Sequence, residues 1–325
     1  PAVPPCSSTT MAMCNRRRRI SSRTFHAAMV FDESTLAAQC AFALAKVLVF
    51  QGPVERGREL LATVSELELS DLPLKIALAS RMGGMASRAG ERSAAGEHWR
   101  RALDLCGNDV NHPKYSSLVS QIGMVHITLG EVDEGRKLLL EALRVARVQG
   151  DQWDEARSLS LLGTLFQHQS EMPRAGACYD QSLGLFRELG DVYGELHVLC
   201  SLGTYYDVLG NPQQAEKVYL EALEMAEQCG DTFREAGLLV NLGLLYMVRG
   251  QFAESMRYSR AAIHLARRTG NVLAIAISEG NLGNLYYEMG DLAEARTLLT
   301  RALAHCDEGE PFAAGAFRGS LALIS

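Results

Sequence analysis

The chain has 325 residues, 47% hydrophobic and 22% charged, with 32 Lys and Arg against 38 Asp and Glu. The formal net charge of −6 excludes a generally basic nucleic-acid binder. No run approaches the roughly eighteen uninterrupted apolar residues of a membrane span; the nearest, Leu36 to Phe50, contains Gln39 and Lys46.

Residues 1–31 contain no Asp or Glu and five arginines, Arg16 to Arg19 and Arg23. The segment is therefore +5 and the remainder −11. With Pro1, Pro4, Pro5 and the Ser7–Thr10 cluster, and few apolar periodic positions before Phe31, it reads as a disordered basic N-terminal arm. An acid-free, Arg- and Ser-rich start also fits an organelle transit peptide or a polybasic contact. A helix over Leu36–Phe50, the break at Gly52-Pro53 and a second helix through Leu67 come next. The eight cysteines include no Cys-x-x-Cys pair and read as small buried thiols of a reducing compartment.

From residue 72 onward the chain repeats every forty residues. Gly83, Gly123, Gly163, Gly203, Gly243 and Gly283 keep that spacing without a slip. Seven residues after each come Gly90, Gly130, Ser170, Gly210, Gly250 and Gly290. A third series is Gly150-Asp151, Gly190-Asp191, Gly230-Asp231 and Gly270-Asn271. Twelve residues after the first glycine stand Ala95, Gly135, Ala175, Ala215, Ser255 and Ala295, all small. Between these and a second small column sit Trp99, Leu139, Tyr179, Tyr219, Ser259 and Leu299. Leu159, Leu162 and Phe166 step by three and four, one face of a first helix; Ala215, Tyr219 and Ala222 do the same along a second. Leu209-Gly210-Asn211-Pro212 is a turn with glycine at a helix end and proline starting the next helix. Gly230 ends the second helix and Asp231 caps the next. Glycine inside a helix costs roughly 1 kcal/mol against alanine. Its recurrence points to close helix–helix approach, with the small residues of the second helix opposite. Tyr206, Tyr246 and Tyr286 are expected in the core.

Leu282-Gly283, Tyr286, Ala295, Leu299 and Ala302, like Leu202-Gly203, Tyr206, Ala215, Tyr219 and Ala222, resemble the tetratricopeptide repeat. The large residue ahead of Leu-Gly appears as Ala79, Val119, Leu159, Leu199 and Leu239 and departs to Glu279; the usual late proline is absent. The forty-residue form is similar to arrays of LGN-type adaptors and of bacterial regulators. The resemblance implies an all-α fold, a right-handed α-solenoid of stacked antiparallel helix pairs. The array spans 32–325, with repeats at 36–69, 72–109, 112–149, 151–189, 191–229, 231–269 and 271–308 and a truncated repeat at 311–325. Phe317 to Ile324 is not a polar capping helix, so the array is expected to continue in a longer protein.

No Walker loop, nucleophile elbow, His-Glu-x-x-His or calcium loop is present, and no two of the eight histidines lie three or four residues apart. No catalytic residue, metal or cofactor is expected. The resemblance implies a non-catalytic scaffold that binds a protein or extended peptide in the concave groove lined by the first helices. Two other readings are a regulatory sensor array in a larger signalling or transcription protein and, if the arm is a transit peptide, an organelle assembly factor. A cytoplasmic location is expected, or an organelle in that last case. Nucleic acid is not an expected partner of the array, and nothing indicates a homo-oligomer. Groove candidates are Asn241, Asn281 and Asn284 in one polar cluster and Arg81, Gln121 and Arg157 in a sparser one. His197 shares the column of Arg157; Tyr205 and Tyr287 are the more open aromatics.

Overall fold

The computed structural model describes residues 24–25, 27–29, 33–51, 54–306 and 311–324. From Ser34 onward these form fifteen helices, and no strand occurs among the described residues. They are α1 (Ser34–Gln51), α2 (Val54–Ser65), α3 (Leu72–Arg88), α4 (Arg92–Leu105), α5 (Tyr115–Thr128), α6 (Val132–Gln149), α7 (Gln152–His168) and α8 (Met172–Leu189). Then follow α9 (Val192–Val208), α10 (Pro212–Cys229), α11 (Thr232–Val248), α12 (Phe252–Thr269), α13 (Val272–Glu288), α14 (Leu292–His305) and α15 (Pro311–Ile324). The fold is all-α, with helices packed in consecutive pairs. The chain divides into two units, one of Pro1–Val49 and Val54–Tyr205, the other of Phe50–Pro53 and Tyr206–Ser325.

Local chemistry sets each boundary. Between repeats, Gly150, Gly190, Gly230 and Gly270 end their helices in the left-handed region. The next residue then caps: Asp151 Oδ1 accepts from the Trp153 and Asp154 N–H groups at 3.1 and 3.0 Å, and Asp231 Oδ1 from the Arg234 N–H at 3.1 Å. Asn271 and Asp291 bond Ala274 and Glu294 in the same way. Within repeats, the turn glycines also have positive φ, and Ser170, the one departure from that series, is held at φ 60°.

In the first unit the pairs are α3 with α4, α5 with α6 and α7 with α8. The repeat glycine does two things there. At Gly123 a Cβ would come within 3.1 Å of the Gly135 carbonyl oxygen, the close approach expected of facing small residues. At Gly83 and Gly163 the nearest atoms belong instead to Trp99 and Tyr179, 2.5 and 2.7 Å from such a Cβ. Here glycine makes room for the ring of the second helix. Both rings are buried, and both satisfy their polar ends: Trp99 Nε1 donates to the Ser80 carbonyl at 3.1 Å, and the Tyr179 hydroxyl bonds Gln167 Oε1 at 3.0 Å. Buried Ser116 and Ser182 donate to the Ala142 and Ala156 carbonyls across their helix pairs.

Among the described residues of this unit one carboxylate is buried. Asp154 is only 4% exposed. Burial pushes its carboxyl from the ordinary 3.8 up to about 6; Asp151 adds to the rise, and Arg157, Lys114 and the Ser117 N–H oppose it.

The disorder expected of residues 1–31 does not hold for Thr24, Phe25 and Ala27–Met29, which are helical. Phe25 and Ala28 are buried in one core cluster with Ala37, Leu48 and Leu61, because apolar area withdrawn from water outweighs the composition around it. The rest of that expectation, the arginine run and any transit peptide included, lies outside the described residues.

In the second unit the pairs are α11 with α12 and α13 with α14, and α15 packs on α14. Gly243 faces Ser259, and Gly283 faces Leu299 and the Ala295 carbonyl. Of the three tyrosines expected in the core, Tyr246 is buried, stacked on Tyr258 at 5.3 Å with its hydroxyl donating to Glu216 at 2.5 Å. Tyr206 and Tyr286 are only half-buried. The Tyr286 hydroxyl accepts from Arg260 Nη2 at 3.1 Å, so its polar tip stays at the surface.

Three outcomes follow from this packing. Ser170→Gly should raise stability by about 1 kcal/mol, since a left-handed non-glycine residue costs roughly that much; thermal melting reads it, and an unchanged or lower midpoint refutes the strain. Gly163→Leu should overpack Tyr179 and cost about 1–3 kcal/mol or more, seen as a lower denaturant midpoint. Asp154→Asn should melt above the wild type from pH 6 upward, with the gain vanishing near pH 4. A carboxyl whose folded value is raised is penalised above that value and not below the unfolded one. The shift corresponds to roughly 1–3 kcal/mol at 1.4 kcal/mol per unit. A pH-independent difference would show that the carboxylate is not the cause.

Candidate functional site

The first-unit candidates sit on the first helices of their repeats. Arg157 on α7 is half-buried, and its Nη1 donates to Ser117 Oγ on α5 at 3.3 Å. These two residues occupy the same column one repeat apart, so α5 and α7 lie side by side in register. The Arg157 guanidinium also lies over the Trp153 ring, 5.5 Å from its centroid. Burial lowers the guanidinium's pKa and Asp154 opposes the shift. Gln121 and His197 are half-buried, and the His197 carbonyl accepts from Ser201 Oγ at 3.2 Å. Arg81 is half-buried with its guanidinium 5.5 Å from the Phe42 centroid, and burial lowers its pKa too. Tyr205 is half-buried and packs edge-on to Tyr179 at 6.0 Å. Ser117 and Arg157 are thus brought into direct contact; no such contact joins Arg81 to Gln121.

Trp153 was missed among the candidates. It is 42% exposed, donates from Nε1 to Asp191 Oδ2 at 2.6 Å and meets Phe186 edge-on at 6.3 Å. The signal was available: Trp153, Tyr193, Phe233 and Leu273 form a column of large apolar residues two places after each cap. Tyr193 and Leu273 are also exposed.

In the second unit, Asn241 on α11 and Asn284 on α13 are half-buried. Asn281 is 7% exposed, and its Nδ2 has no hydrogen-bond partner within the protein. Asn281 is thus enclosed, unlike Asn241 and Asn284. Its neighbour Gly280 has no space for a Cβ because the Phe317 ring of α15 lies 2.0 Å from that position. Tyr287 is half-buried and packs against the cluster containing Phe317 and Leu299, so it is less open than its sequence position suggests.

Among the described residues no group of three or more His, Cys, Asp or Glu could hold a metal ion. No helix among them is long and apolar enough to cross a membrane.

Comparison with known proteins agrees with this architecture. The MalT-like TPR region matches residues 190–325. No curated protein matches the sequence. Among solved structures, a Rap protein complexed with competence and sporulation factor is similar, with a TM-score of 0.66 and 14% identity, covering 98% of this chain and 97% of that one. A Rap conjugation gene regulator of plasmid pLS20, in complex with a Phr peptide, has a TM-score of 0.61 at 13% identity, covering 94% and 78%. A signal-transduction ATPase with numerous domains from Pyrococcus horikoshii, which has a tetratricopeptide repeat sensor, has a TM-score of 0.62 at 16% identity; 86% of this chain covers 43% of that one. The forty-residue period, the helix pairs it builds and these likenesses together make the chain a tetratricopeptide-type repeat protein.

Proposed function

We propose that the chain is a non-catalytic scaffold that binds an extended peptide or protein segment across the first helices of its repeats. The observation that carries this reading is the contact of Arg157 with Ser117, forty residues apart on neighbouring first helices. Residues of one column then form a strip, and an extended peptide can meet the same column in successive repeats. In the first unit the strip offers Arg157 and Gln121, with exposed Trp153 beside them as an aromatic anchor. In the second unit Asn241 and Asn284 offer amides that both donate to and accept from a peptide backbone. Asn281 is a deeper contact whose unmatched Nδ2 favours a partner that supplies an acceptor. The peptide complexes of the two similar Rap proteins support the reading at the level of fold.

A second reading, a sensor array within a larger regulator, is favoured by a different observation. The MalT-like region matches residues 190–325, and the similar Pyrococcus protein carries its repeats as a sensor within a longer chain. Both readings place ligand binding, not bond chemistry, at the centre.

The test is selection of binders from a displayed random-peptide library, followed by fluorescence anisotropy with the selected peptide. Arg157→Ala or the pair Asn241→Ala and Asn284→Ala should weaken it about tenfold or more, about 1.4 kcal/mol; melting stays nearly unchanged in the asparagine pair and falls at neutral pH in Arg157→Ala, which removes a charge that opposes the burial of Asp154. The buried Asn281 is left out, since its removal perturbs packing as well as binding. A library that yields no binder, or a peptide indifferent to both variants, refutes the strip.

A further inference from the structure

Glu279 breaks its own column, where the earlier repeats have Ala79, Val119, Leu159, Leu199 and Leu239. On α13 its side chain is fully buried, at 0% exposure. Oε1 accepts from Arg267 Nη2 at 2.8 Å and from Arg301 Nη2. Oε2 has no hydrogen-bond partner within the protein, and His305 Nε2 lies 3.9 Å away, beyond hydrogen-bonding reach. A buried carboxylate oxygen without a donor is costly, so its place among apolar residues calls for a reason.

Arg267 keeps the arginine of its column but loses the partner. Arg147 bonds Glu155 at 2.7 Å and Arg187 bonds Glu195 at 2.6 Å, each eight residues further on. Eight residues after Arg267 stands Ile275. Without the usual partner, Arg267 turns to Glu279. Two departures from the repeat, Glu279 and Ile275, thus leave Arg267 paired with Glu279.

A cavity of about 280 Å³ lies there, between α12, α13 and α14. Buried Ile263, Leu282 and Leu298 form its apolar wall, Glu279 lines it, and exposed Arg260, His264, Arg267 and Arg301 surround it. Three guanidiniums face one carboxylate, an excess of positive charge. Each guanidinium has five N–H donors, and Arg267 and Arg301 use only part of theirs on Oε1. The space is open to solvent on one side and has room for a small organic acid.

The geometry points to a binding site for a small organic anion that carries a hydroxyl group and a short aliphatic chain. Its acidic group pairs with Arg260, Arg267 and Arg301. Its hydroxyl donates to Glu279 Oε2, supplying the missing partner. Its chain covers Ile263, Leu282 and Leu298. The site is separate from the first-helix strip, because all its residues except Glu279 and Leu282 come from second helices.

Isothermal calorimetry on the full chain at pH 7 tests this with 2-hydroxy-4-methylpentanoate, 4-methylpentanoate and inorganic phosphate as probes. The hydroxy acid should saturate one site, with the deoxy acid and phosphate each about tenfold weaker, as expected for one lost hydrogen bond to a charged group or one lost apolar contact. Arg260→Ala, at the rim and outside the Glu279 ion pairs, should weaken the hydroxy acid about tenfold without changing the melting midpoint. Glu279→Gln should abolish the preference for the hydroxy over the deoxy acid. If that variant does not fold, Arg260→Ala decides alone. No saturable heat at concentrations on the order of 10 mM, full affinity in Arg260→Ala, or phosphate binding as tightly as the hydroxy acid overturns the assignment.

Discussion

Everything in this chain depends on how closely two helices cross within one repeat. Helix axes pack about 8–10 Å apart, and the residues at the crossing decide where in that range they settle. Glycine at one point of the first helix lets the second helix bring either its backbone, as Gly135 does at Gly123, or a flat ring, as Trp99 and Tyr179 do at Gly83 and Gly163. Each such glycine costs roughly 1 kcal/mol of helix propensity. Full burial of a large apolar side chain, at about 1.5–3 kcal/mol, offsets it. That balance explains why the glycine recurs where the residue opposite it varies from Trp99 to Ser259.

The same constraint explains what was legible in the sequence. The glycine series, the small columns and the Gly-Asp junctions each act locally, through φ, capping or contact within one helix pair, so a single repeat displays them and six repeats confirm them. The Asp151 and Asp231 caps and the positive φ at Gly150 and Gly230 stand where the spacing put them. Phe25 and Ala28 were not legible, because they lie before the repeat begins and the arginine-rich composition around them masks two apolar contacts. Tyr206 and Tyr286 follow a column whose burial depends on neighbours outside it; Tyr246 in that column is buried and Tyr286 reaches Arg260 at the surface.

Legibility of the candidate site is limited for a related reason. Periodicity says which side of a helix a residue occupies, and Arg157 does meet Ser117 as column neighbours should. It does not say what covers that side. Asn281 shares a column with half-buried Asn241, yet the Phe317 ring of α15 fills the space beside Gly280, and Asn281 is enclosed. Trp153 lies two places after its cap, where the helix-start signal of Gly150-Asp151 says nothing of whether the side chain is covered.

A repeat that solves the packing problem the same way each time frees its remaining positions, and departures at those positions then carry the information. Arg147 with Glu155 and Arg187 with Glu195 is a structural habit of the array, two part-exposed pairs each worth at most about 1 kcal/mol. In the next repeat the arginine becomes Glu227, and burial together with Glu227 raises the pKa of Glu235, so the habit is abandoned at a cost. One repeat later the acid becomes Ile275 while an acid appears at Glu279, inside an apolar column, and Arg267 follows it. Loss of a surface pair is cheap; a buried carboxylate with an unmatched oxygen is not. Between α12 and α14 the array therefore gives up a cheap surface pair and holds a costly buried carboxylate, bound by Arg267 and Arg301.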